Sequence, residues 1–151
     1  MYERGHTVYH YGAEGSNPPC TKHLDIISTE EQQRFFGHID WKKETFKVDF
    51  DANKPYWQMC NSRAIDLIKP RSSKGDFICL IAGIAQRPIH ENLDQNKVMT
   101  VEYGIGYQAC FAKYKVFESY AHMHNIYGGI NFNMDGNWYD AVIPNYFDVD
   151  D

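Results

Sequence analysis

The chain has no run of lysine or arginine: 15 basic residues are scattered among 20 acidic ones, for a formal net charge of −5. A surface that neutralises a phosphate backbone needs clustered cations, so nucleic acid is not an expected partner. Long apolar stretches are missing too. The longest, FICLIA at residues 77–82, falls well short of the roughly 20 residues that span a bilayer. The opening residues MYERGH carry charge and glycine where a secretory leader needs an apolar stretch. The four cysteines, Cys20, Cys60, Cys79 and Cys110, include no close pair and fit no zinc-ligand spacing. They read as reduced thiols and the compartment as cytoplasmic, with Cys79, in the most apolar segment, expected to be a small buried thiol. Internal repeats, low-complexity tracts, a G-x-S-x-G nucleophile elbow and a phosphate-binding G-x-G-x-x-G are all lacking.

What is present is one domain's worth of chain, 151 residues with 15% aromatics. Residues 3–6 resemble a helix tail closed by Gly5, and β-branched and aromatic residues predict a strand over 6–11. A loop follows over 12–21 and a second strand over 24–27. Ser28 and Glu31 are spaced as a capping box that starts a helix. Residues 35–53 lack a clear period and read as an aromatic-rich loop. From Pro55 to Lys69, Trp57, Cys60, Ala64, Leu67 and Ile68 recur at helical spacing, and Pro70 stops the run. The consecutive apolar residues 77–82 suit a parallel strand covered on both faces. Residues 87–97 are polar, 98–101 predict a strand, 108–117 are mixed, and 122–127 could make a helical turn broken by Gly128-Gly129. Residues 131–138 are polar, and a last strand is expected over 141–143. Short strands alternating with longer segments predict an α/β fold, a Rossmann-like and mostly parallel, doubly wound sheet.

In such sheets ligands sit beyond the carboxyl ends of the strands. That draws attention to Glu102-Tyr-Gly104-Ile-Gly106, where glycines let a ligand approach the backbone and a carboxylate can act as acid, base, nucleophile or hydroxyl binder. Glu118 and Ser119 precede His122 and could reach a site at that edge. His122 and His124 are spaced for one face of a strand and not of a helix, and no third ligand is evident, so no metal site is expected. The aspartates of 148–151 read as a solvated acidic tail.

The stretch RGHTVYHYG at residues 4–12 resembles the second-strand region of the first domain of GT-B glycosyltransferases, and AVIPNYFD at 141–148 is similar to a stretch near that superfamily's domain hinge. Between them GDFICL at 75–80, VEYGIG at 101–106 and VFESYA at 116–121 follow in the order of an acceptor-side domain. The resemblance covers nearly the whole chain. It implies a single partial N-terminal domain over 1–151 that lacks the usual first strand and ends near the hinge at about 141–148. It also implies a small-molecule or glycan acceptor, a nucleotide-sugar donor held by a separate C-terminal domain, no other cofactor, and no turnover by this chain alone. His122 and Glu102 would be the catalytic residues, with Gly104, Gly106, Glu118 and Ser119 lining the acceptor cleft. Two other readings stay open. In a nucleoside deoxyribosyltransferase-like enzyme Glu102 would be the nucleophile; in a non-catalytic module the aromatics would capture carbohydrate or protein.

Overall fold

The structure, a computed structural model, describes residues 1–40, 43–44, 49–107, 109–131 and 136–144. The fold is α/β and Rossmann-like, with every strand pairing parallel to its neighbour. A short 3-10 turn, Tyr2–Arg4, ends at Gly5 in the left-handed region, as the sequence suggests. β1 (Tyr9–Ala13) pairs with β2 (Lys22–Ile27) as a separate two-stranded sheet. β1 therefore lies later in the chain than the predicted strand over 6–11, and β2 begins earlier than expected. Ser28 and Glu31 close their capping box on α1 (Thr29–Phe36). Helix α2 (Pro55–Ile68) starts with proline at its first turn, where no intrahelical N–H is needed, and buries Trp57, Cys60, Asn61, Ala64 and Ile68.

The second sheet runs β3 (Asp76–Leu80), β4 (Val98–Ile105), β5 (Tyr114–Phe117) and β6 (Ala141–Val142), in that spatial order. A 3-10 turn, Gly83–Gln86, and α3 (Arg87–Asn92) connect β3 to β4, so the polar stretch 87–97 is partly helical. Helix α4 (Tyr120–Asn131) connects β5 to β6. It runs straight through Gly128-Gly129, which the sequence marks as a break. Met123, Ile126 and Tyr127 pack on Ile105 and Phe117, and that packing outweighs the roughly 1 kcal/mol helix penalty of each glycine.

Strands that follow one another in order, joined by crossovers of one hand, receive their helices on one face. The burial pattern agrees. Ala64 and Ile68 of α2, Leu80 of β3, Ile89 of α3, Leu93 and Val98 of β4 form one core cluster, and Tyr11 and Ile26 bring the β1–β2 pair onto it. On the other face Phe77 is 65% exposed and Ile81 68%, with Cys79 and Tyr103 exposed beside them, and no helix among the described residues packs there. Two expectations are corrected here. The run 77–82 is covered on one face only, and β3 ends at Leu80; Cys79 is an exposed thiol, because alternation turns it away from the helices.

Two ties hold the layers in register. Arg63 donates two hydrogen bonds to the Glu31 carboxylate at 2.7 Å each and a third to the Ile26 carbonyl at 3.2 Å, joining α1, α2 and β2. Asn61, buried in α2, donates to the carbonyl of Ala85 at 2.8 Å, just past β3. The guanidinium holds the Glu31 carboxyl well below the ordinary carboxylate range, at about 2.

Candidate functional site

The predicted strand over 98–101 extends four residues further, and this decides where Glu102 lies. Along β4, Val98, Thr100 and Glu102 alternate onto the helix-covered face, so Glu102 is mid-strand and fully buried. One carboxylate oxygen accepts hydrogen bonds from the backbone N–H groups of Phe111 and Ala112, both at 2.8 Å. The other accepts from the Tyr107 hydroxyl at 3.2 Å. These donors come from the crossover 106–113 that joins β4 to β5 without a helix. Parallel strands are usually joined by a helical crossover; here a buried carboxylate and Phe111, packed on the core, hold the loop instead. The chemistry available to Glu102 in this position is that of an anchor with both oxygens engaged.

Gly104 has φ +67° and sits at the irregularity in β4, where Tyr103 pairs with Val116 but Ile105 with Phe117. The extra residue is a bulge that turns Ile105 back onto the covered face beside Phe117. Gly104 thus shapes the strand, and only Gly106, beyond it, stands at the carboxyl edge.

At that edge the structure brings four of the six predicted residues together. A Cβ on Gly106 would lie 2.6 Å from the Glu118 carboxylate, so the absence of a side chain is what lets Glu118 cover this turn. Ser119 caps α4: its hydroxyl oxygen accepts from the N–H of His122 at 3.1 Å. His122 in turn has its Nε2 2.9 Å from the carbonyl of Tyr107. A carbonyl can only accept, so Nε2 is the donor, and in the neutral ring this contact selects the Nε2–H tautomer. The Tyr107 ring lies against Gly83, where a Cβ would come within 3.0 Å, and so ties the turn after β3 to the turn after β4. His124 points elsewhere, its ring near Tyr120. Among the described residues no group of three His, Cys, Asp or Glu side chains is placed to hold a metal ion.

Several further groups are not evident from sequence. Burial and the Glu102 charge raise the Cys110 thiol to about 11 and push the Tyr107 hydroxyl far above its usual range. At neutral pH both stay protonated, which leaves Cys110 a poor nucleophile. Tyr127 donates to Asp140, which also accepts from the backbone N–H of Asn137 at 3.1 Å; burial and this bond raise the Tyr127 hydroxyl as well. The other Asp140 oxygen is buried and has no hydrogen-bond partner among the described residues. The Tyr127–Asp140 bond joins α4 to the turn before β6, and no helical or strand period announces it. The hinge-like segment past Pro144, the acidic residues 148–151 and Gln108 lie outside the described residues.

No protein-family model, no curated protein and no solved structure matches the chain. No helix among the described residues is long and apolar enough to cross a membrane.

Proposed function

We propose that the chain is the acceptor half of a GT-B glycosyltransferase, which joins a sugar from a nucleotide-sugar donor to a hydroxyl of a sugar or glycan. The observation that supports this reading is the gathering of Gly106, Glu118, Ser119 and His122 at the carboxyl edge of the parallel sheet, where such folds bind ligands. His122 is the base: the Tyr107 carbonyl fixes its tautomer and leaves Nδ1 to take the proton of the attacking hydroxyl. Glu118 accepts a neighbouring hydroxyl, and Ser119, whose oxygen is occupied by the helix cap, offers its O–H as a donor. Glu102 is a positioning residue, since it fixes Tyr107 and hence the partner of His122. The reading in which Glu102 is a covalent nucleophile gains no support from a carboxylate that is fully buried and engaged at both oxygens.

The donor nucleotide would be bound by a second domain, so the chain alone is expected to bind glycoside without turnover. The test titrates the chain with methyl glycosides of glucose, galactose, mannose and N-acetylglucosamine at millimolar concentration and follows its backbone amide signals. Shifts at Gly106, Ser119 and His122 are expected. Unmoved signals at all three overturn the reading, and sugar transfer by the chain alone overturns the assignment as a half-site.

A further inference from the structure

A second feature lies apart from the edge cluster. Between the last turn of α1 and the first turn of α2 is an open cleft of about 290 Å³, walled by Phe35, Phe36, Tyr56 and Trp57, with Asp49 and Lys54 at its rim. Its rings brace one another: Phe36 and Tyr56 lie 4.7 Å apart at 63°, Phe35 and Tyr56 5.7 Å apart at 80°, and Tyr56 and Trp57 5.2 Å apart at 81°. The indole N–H of Trp57 donates to the Asp49 carbonyl at 2.8 Å and pins the rim to the helix. Such edge-to-face packing leaves the wall little freedom to lose on binding. Phe35 nonetheless stays 40% exposed, which is a cost in water unless something apolar covers it.

We infer that this cleft is a binding site for a single pyranose ring. Its volume is at the lower bound of small-molecule pockets and suits one ring, not an extended ligand. The C–H face of a sugar carries weak positive charge that matches the negative faces of aromatic rings. The rim then supplies what the hydroxyls need: Lys54 donates and Asp49 accepts, 3.3 Å apart. The rim also disfavours an organic cation, because the Lys54 ammonium would repel it and already takes up the Asp49 charge.

The cleft lies at the same end of the molecule as the edge cluster. Asn61, one turn further along α2 than Trp57, is bonded to Ala85 beyond β3, so the first turn of α2 stands past the carboxyl end of that strand. The inference rests on the cleft alone and survives the loss of the transferase reading.

The test uses saturation-transfer difference spectra of the intact chain with the same four methyl glycosides, and with tetramethylammonium and adenosine as competitors of other chemistry. Saturation of the ring C–H protons of at least one glycoside is expected, with amide shifts at Tyr56 and Trp57. Phe35→Ala should weaken binding roughly tenfold, the worth of about one lost stacking partner. If Phe35→Ala disturbs the fold, as judged by circular dichroism, Lys54→Met removes the rim donor and should weaken binding severalfold. Absence of glycoside saturation overturns the inference. So does binding that neither variant weakens, or binding of tetramethylammonium or adenosine tighter than every glycoside. Shifts at Tyr56 and Trp57 without shifts at Gly106, Ser119 and His122 uphold the cleft and reject the edge.

Discussion

Replacing Glu102 by alanine isolates what a buried carboxylate does for a parallel crossover that has no helix. The change removes the acceptor of two backbone N–H groups, Phe111 and Ala112, the second of them buried. A buried donor left without a partner costs about 1–3 kcal/mol, and the half-buried Phe111 N–H adds about half as much again, so the pair amounts to roughly 1.5–4.5 kcal/mol. The Tyr107 hydroxyl adds little, because that side chain is half-buried and its O–H can rotate to another partner. Relief from desolvating a charge works in the opposite direction, which places the expected loss in the lower half of that range. Glu102→Gln keeps one oxygen for the two N–H groups and turns its amide toward the Tyr107 oxygen, so its loss should be about 1 kcal/mol. Urea denaturation at neutral pH, followed by circular dichroism, measures both. For a chain of this length ~1 kcal/mol corresponds to a melting shift of ~2–4 °C. An alanine variant within about 1 kcal/mol of the parent, or a glutamine variant as damaged as alanine, would refute the anchoring account.

Two further predictions concern backbone and proton. Gly104→Ala must place a side chain at φ +67° and should cost about 1–2 kcal/mol, whereas Gly129→Ala, in α4 with open space where its Cβ would go, should stabilise by about 0.5–1 kcal/mol; opposite shifts in thermal midpoint are the expected result, and equal ones would contradict the bulge assignment. His10 stacks on His23 with Nδ1 atoms 2.8 Å apart, and burial followed by the His23 charge lowers its pKa. The unfolded chain therefore binds the proton first, and the contribution of His10 to stability is full above pH ~6.5 and falls as the pH drops below it. Thermal midpoints measured across that range should decline less in His10→Gln than in the parent.

The sequence is most informative where the signal is local. The Ser28–Glu31 box, the proline at the start of α2 and the repeat from Trp57 to Ile68 each state their structure within one or two turns. Gly106 follows a strand that the sequence predicts, whereas β5, which ends just before Glu118 and Ser119, is hidden in the mixed stretch 108–117. Glu102 was misplaced because Gly104 looks like the end of a strand; the chain instead absorbs the glycine as a bulge and continues pairing to Ile105. Alternation with Val98 and Thr100 already put Glu102 on their face, but which face is covered depends on the path of every crossover. Cys79 and Phe77 fail by the same route, as do the glycines of α4, whose helix is held by Ile105 and Phe117 from distant strands. In the Tyr127–Asn137–Asp140 group the Asn137–Asp140 turn is local, but its bond to Tyr127 depends on how α4 packs.

The helix-free crossover 106–113 also bears on how fast the sheet can assemble. Closing a loop costs about 0.6 kcal/mol more for each doubling of its length, and the helical crossovers of this sheet, 81–97 and 118–140, are roughly two to three times as long as 106–113. Joining β4 to β5 across 106–113 therefore saves roughly 0.6–0.9 kcal/mol of closure entropy, and the Tyr9–Ala13 and Lys22–Ile27 strands share the advantage through their own short connection, 14–21. Parallel pairing is ordinarily a late and slow event because its contacts are distant. In this chain two of the four parallel ladders become nearly as local as hairpins, and the slow step passes to the long segment between β2 and β3 that has to deliver α2 onto the sheet.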